Sequence, residues 1–110
     1  MAIYKIFRAP EWEAMQARGQ TPGAPIDLQD GYVHLSTADQ VEETAARHFA
    51  GEPDLILLAV DEARLAPDLR WEPSRGGALF PHLYRELRLT DVLWSAPLPW
   101  ESSRHRFPPL

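Results

Sequence analysis

Two short stretches of this sequence carry residue types that do chemistry. "DGYVHLST" (30–37) sets a histidine beside two hydroxyls, and "FPHLYREL" (80–87) sets a second histidine beside tyrosine, arginine and glutamate. Both runs read as strands, whose successive side chains point to opposite faces. In the first, Val33 and Leu35 share one face, and Tyr32, His34 and Ser36 share the other. In the second, Leu83 and Leu87 oppose Phe80, His82, Tyr84 and Glu86. With valine and leucine turned to the core, each strand offers a histidine among further hydrogen-bonding groups. Left simply exposed, Tyr32, Phe80 and Tyr84 would form a large apolar patch. An aromatic wall with a few convergent polar groups is instead what a small-molecule pocket presents. The plainer alternative is two half-exposed sheet faces with solvated histidines.

"SRGG" (74–77) adds Arg75 in a loop where Gly76 and Gly77 permit positive φ and close backbone approach. A guanidinium fork with free N–H groups suits a phosphate or carboxylate, although a hairpin turn with a surface arginine has the same sequence. Thr37 has two readings as well, the cap of the following helix or a group for an anion at that helix end. His34 and His82 with Asp30 lack the short spacing of a metal site. No G-x-S-x-G elbow presents Ser36 as a nucleophile. His48 falls on the inner stripe of a helix and reads as packed. His105 belongs to the basic run Arg104-His105-Arg106 in a Pro-rich tail (about 101–110), read as a solvated end. Glu42, Glu43 and Arg47 form a solvated helix face.

The elements that must position these groups can be read from punctuation and period. "IYKIFRA" (3–9) alternates as a first strand. "PEWEAMQARG" follows as a helix, with Pro10 in its first turn and Gly19 at its end. Pro22, Gly23 and Pro25 mark 20–30 as a loop. Residues 31–36 form the second strand. A second helix then starts at Thr37, with Gln40 as capping partner, and ends by Gly51. "DLILLAV" (54–60) is apolar on both faces and should be the most buried strand. Strands at 69–73, 79–89 and 91–100 complete the order, the last at an edge because of Pro97 and Pro99. The expected fold is α+β, one domain over 1–110, with mixed or antiparallel strands and two short helices.

Composition narrows the function classes. At 110 residues the chain fits one domain with a radius of gyration of about 13 Å. It has no cysteine, which excludes disulfides, thiolate zinc sites and cysteine nucleophiles. A formal net charge of −5 argues against a large nucleic-acid footprint, which needs clustered Lys and Arg. No apolar run reaches membrane-spanning length and the start carries no secretory signal, so the expected address is cytoplasmic, without a membrane partner.

"IYKIFRAPEWEAM", "DLQDGYVHLSTADQVEETAARHFAG", "DLILLAVDEARL", "LRWEPSRGGALFPHLY" and "LTDV" together resemble a bacterial family known as domain of unknown function 952. "DGYVHLST" and "FPHLY" are its most specific parts, and Arg85 stands where the family commonly has glycine. The family resembles the ADP-ribosyltransferase superfamily in fold. That superfamily includes NAD-dependent toxins, poly(ADP-ribose) polymerases and RNA 2′-phosphotransferases. The resemblance implies a nucleotide-related enzyme, with NAD as a possible cofactor or a small phosphorylated ligand as partner. His34-Leu35-Ser36 matches a short ribose-contacting pattern of these transferases. Arg75 and His82 then take phosphate contacts and Tyr84 a stacking role. Glu86 is the only acid on the matching face that could serve as the late carboxylate of ADP-ribosyl transfer. The competing readings are a non-catalytic nucleotide- or metabolite-binding module and a structural or partner-binding domain.

Overall fold

A computed structural model describes all 110 residues, Met1–Leu110. Along the chain run β1 (Ala2–Arg8), α1 (Ala9–Arg18), β2 (Gln20–Thr21), α2 (Pro25–Asp30), β3 (Val33–His34), α3 (Ala38–His48), β4 (Leu55–Asp61) and α4 (Glu62–Leu65). Then come β5 (Leu69–Pro73), β6 (Leu79–Leu83), β7 (Leu87–Arg88), β8 (Val92–Leu98), β9 (Trp100–Glu101) and β10 (Arg104–His105). The class is α+β, and every strand pairing is antiparallel. The radius of gyration is 13.0 Å. No helix is long and apolar enough to cross a membrane.

β4 is apolar on both faces because it separates two cores. It is the middle strand of the sheet β1-β4-β8. Leu55, Leu57 and Ala59 pack with Tyr4, Ile6, Leu98 and the inner face of α3, Val41 and Ala45. Leu58 and Val60 pack the other way, onto Ile3, Phe7, Met15 of α1, and Val33, Leu35, Leu83 and Leu87. The second core is closed by a smaller sheet, β3-β6-β5. The two sheets meet where Tyr4 and Ser36 exchange backbone hydrogen bonds, at 2.7 and 2.9 Å. That junction fixes β3 against β1, and with it the height at which His34 stands.

Several expectations need correcting. There are four α-helices, not two. Residues 25–30 are helical within the segment read as a loop, and Glu62–Leu65 adds a single turn. The extended run 79–89 is broken, since β6 ends at Leu83 and β7 resumes at Leu87. Arg85 causes the break by reaching Asp91 at 2.9 Å and Asp68 at 3.3 Å. Nor is the C-terminal stretch a solvated tail. β9 and β10 form a hairpin, and buried His105 sets its Nε2 2.7 Å from the Glu52 carbonyl and its ring edge-on to Trp100. His48 is exposed rather than packed, because the last turn of α3 rotates it off the stripe and half-buried Phe49 takes its place.

Candidate functional site

The centre of the site is Asp27, to which no local sequence signal points. Pro25 suits the first turn of α2 because its missing N–H has no partner to lose there. Asp27 folds back to accept the Ala24 N–H at 2.8 Å, and Gly31, at φ +86°, ends the helix. This short helix drives Asp27 into the interior, where it is 1% exposed. There it accepts the Lys5 ammonium at 2.7 Å, the His34 backbone N–H at 3.0 Å and the His34 ring Nδ1 at 2.5 Å. Lys5 also donates to the His34 carbonyl at 3.0 Å. One carboxylate therefore ties β1, α2 and β3 together and turns the His34 ring.

Burial alone would raise the Asp27 pKa. The His34 hydrogen bonds and the Lys5 charge outweigh it and hold the group at about 2, below the ordinary 3.8. For Lys5 the balance runs the other way, because loss of water lowers its pKa more than Asp27 raises it. A carboxyl with a depressed folded pKa stabilises the fold above its unfolded pKa, and this contribution fades as pH falls through the folded value. Acidification from about pH 5 to pH 2 should thus remove about 2 kcal/mol through Asp27 alone. Urea midpoints across that range, in wild type and in Asp27→Asn, measure the difference. Equal pH slopes for the two proteins would contradict it.

His82 stands directly opposite His34 in the β3–β6 pairing, with ring centres 5.5 Å apart. It too is oriented by a carboxylate, with Nδ1 2.8 Å from Glu72 Oε1. The same oxygen accepts the Tyr84 hydroxyl at 2.6 Å. These bonds, Tyr84 first, lower the Glu72 pKa, and the Tyr84 phenol is raised in return. Tyr32 lies almost flat on His82, with centres 4.1 Å apart and planes at 25°, and 4.6 Å from His34. Removal from water, then the charges of Asp30 and Glu72, raise its pKa.

A cleft of about 590 Å³ opens beside this pair and is lined by His34, Ser36, Arg75, Phe80 and His82, with Thr44 and His48 of α3. Arg75 sits 4.9 Å over the Phe80 ring. It donates to the Thr44 hydroxyl at 3.2 Å, and its nearest carboxylate is Glu43 at 3.8 Å. Ser36 Oγ lies 3.1 Å from the same Thr44 hydroxyl. Partial loss of water at the cleft wall and then the Arg75 charge lower the pKa of His48. A roomier opening of about 740 Å³ lies between the start of α3 and residues 101–110. It mixes acids and bases, and its one histidine, His105, is already engaged by Glu52.

Of the residues selected from sequence, His34, Ser36, Arg75 and His82 line one cleft, while Tyr32 packs on both histidines and Tyr84 packs on Tyr32 and donates to Glu72. Thr37 does not line it. Thr37 starts α3 with its N–H on Gln40 Oε1 at 3.0 Å, and Gln40 in turn binds the Leu79 carbonyl. Glu86 is also outside, 3.9 Å from Arg18, because the break after Leu83 ends the alternation that put it beside His82. Lys5, Asp27, Thr44 and Glu72 join the site without a signal in the sequence pattern. Asp30, weighed only as a metal ligand, places Oδ2 2.9 Å from His34 Nε2. No three His, Asp or Glu side chains are grouped to hold a metal ion.

The profile of the family described as "Protein of unknown function (DUF952)" matches residues 6–95, and the chain belongs to that family. The crystal structure of protein CC0527 from Caulobacter crescentus is 46% identical, with a TM-score of 0.92 over 96% of this chain and 94% of that one. The solution NMR structure of the same protein is 47% identical, with a TM-score of 0.85 over 94% and 90%. No curated protein matches the chain.

Proposed function

We propose that the cleft binds a nucleotide or a similar phosphorylated small molecule, and that the chain is an enzyme acting on it. The observation that carries this reading is the gathering of Arg75, two hydroxyls and two carboxylate-oriented histidines on one cleft with an aromatic floor. In a chain of net charge −5 this is a local concentration of donors, and it suits an anion beside a ring. Likeness to the ADP-ribosyltransferase superfamily is part of the same proposal. Within it, the position of Glu86 weighs against ADP-ribosyl transfer from NAD, because an oxocarbenium-like ribose needs a carboxylate at hand. Phosphoryl chemistry by histidine and arginine has no such need.

Arg75 is the expected phosphate anchor. Arg75→Lys keeps the charge and loses the fork, so ADP affinity should fall by about 1–3 kcal/mol. Calorimetric titration of wild type and variant with ADP, ADP-ribose and NAD tests this. Equal affinity in both proteins removes Arg75 from the site, and no heat with any of the three sinks the nucleotide reading. A second reading, a module that binds without reacting, is favoured by the place of Glu86, the carboxylate candidate, outside the cleft. Binding with no product by chromatography would select it.

A further inference from the structure

We propose that His82 and His34 are the general base and general acid for in-line hydrolysis of a phosphodiester. This deepens the phosphate reading above and rests on it. The two residues are cross-strand partners with ring centres 5.5 Å apart. In an in-line displacement the attacking and leaving oxygens lie on opposite sides of phosphorus, so one phosphate calls for two proton-handling groups a few ångströms apart.

The hydrogen bonds distinguish the two roles. Each Nδ1 is held by a carboxylate, His34 by Asp27 at 2.5 Å and His82 by Glu72 at 2.8 Å. A carboxylate only accepts, so Nδ1 carries a proton in both rings and Nε2 is the reacting atom. His82 Nε2 makes no hydrogen bond within the protein, and its side chain, only 4% exposed, lines the cleft. Its lone pair is free to take a proton. His34 Nε2 instead lies 2.9 Å from Asp30 Oδ2, so a proton on that nitrogen sits beside a carboxylate charge. Its proton is the one to give away. Tyr32, stacked on His82 and packed against His34, fixes the angle between the rings.

In the step, His82 Nε2 takes a proton from water as the water oxygen bonds to phosphorus. The bond from phosphorus to the leaving alkoxide breaks, and His34 Nε2 delivers its proton to that oxygen. Arg75 offsets charge on the non-bridging oxygens. The products are a phosphomonoester and an alcohol. Proton exchange with solvent restores both rings.

Two diesters separate the roles. A nucleoside 2′,3′-cyclic phosphate expels an alkoxide and needs the acid, whereas bis(4-nitrophenyl) phosphate expels a stable phenolate and does not. His34→Asn and His82→Asn each retain an N–H donor for the buried or flanking carboxylate. His34→Asn should lose about 10²–10⁴-fold on the cyclic phosphate and less than about tenfold on the nitrophenyl diester. His82→Asn should lose about 10²–10⁴-fold on both. Wild-type kcat/KM should be bell-shaped in pH. The acid limb should shift in Glu72→Gln, a change at a solvent-facing residue that keeps the base arm testable if either histidine variant misfolds. ADP affinity is measured separately in every protein. ADP binding without cleavage of either diester, or equal losses by His34→Asn on both, overturns this inference and leaves the binding reading standing. Absence of both ADP binding and cleavage overturns the two together. Cleavage with the stated pattern but no ADP affinity keeps the pair and removes only the nucleotide assignment.

Discussion

Asp27→Asn should destabilise the protein by about 3–5 kcal/mol, and Lys5→Met in the same chain should restore most of that loss. The side chains of Lys5 and Asp27 are only 6% and 0% exposed. Removing the carboxylate charge alone leaves an ammonium without its anion in a place nearly closed to water. Its remaining partner is the His34 carbonyl. Asparagine still offers an oxygen to the Ala24 and His34 N–H groups, so the loss comes mainly from the stranded charge. Methionine at position 5 removes that charge while filling a similar volume. A double-mutant cycle should therefore show coupling of about 3 kcal/mol or more between positions 5 and 27. Urea or thermal midpoints for the four proteins measure it, and additive losses would mean that the two residues do not act as a pair. The cycle also separates fold from site. With folding restored in the double variant, ring-nitrogen NMR of His34 reads whether an amide at position 27 still fixes its tautomer.

What could be read from sequence follows the range of the interactions involved. The alternation that turns Val33, Leu35, Leu83 and Leu87 inward is a property of a few consecutive residues, and all four are buried. The two-sided apolarity of 55–60 reports a strand between two cores, which is where β4 lies. Pairing His34 with His82 needed only that both faces be polar. Asp27 is hidden in the sequence because Pro22, Gly23 and Pro25 read as loop punctuation, whereas Pro25 opens a helix of six residues. So short a helix is marginal alone, and here Asp27 joins it to Lys5, 22 residues away. His105 is similar, its partner Glu52 lying 53 residues back. Glu86 shows the opposite failure. The local period does not extend through Tyr84, whose N–H leaves the sheet for the Asp68 carbonyl at 2.8 Å. Arg85 then turns the chain toward Asp91.

Gly23→Ala should cost about 3 kcal/mol or more, well beyond the about 1–2 kcal/mol expected for Gly31→Ala, although both glycines have positive φ. Gly31, at φ +86°, has open space around the position a Cβ would take, so only backbone strain is at issue. Gly23, at φ +109°, has Asp27 there instead. An added Cβ would stand 2.5 Å from the Asp27 Cβ and 2.7 Å from its Cγ, and closer still to Oδ2. A surface carboxylate could swing aside. This one is held by Ala24, by Lys5 and by the backbone and ring of His34, so displacing it breaks up the cluster that orients the histidine. Gly23→Ala should then lower the urea midpoint and also change the His34 ring signals, whereas Gly31→Ala should shift the midpoint slightly and leave His34 as it is. Equal losses in the two variants, with His34 unchanged in both, would mean that Asp27 is free to move and does not set the ring. The contrast places the site's keystone in the tight turn before α2, where the absence of a side chain at position 23 leaves room for the Asp27 carboxylate.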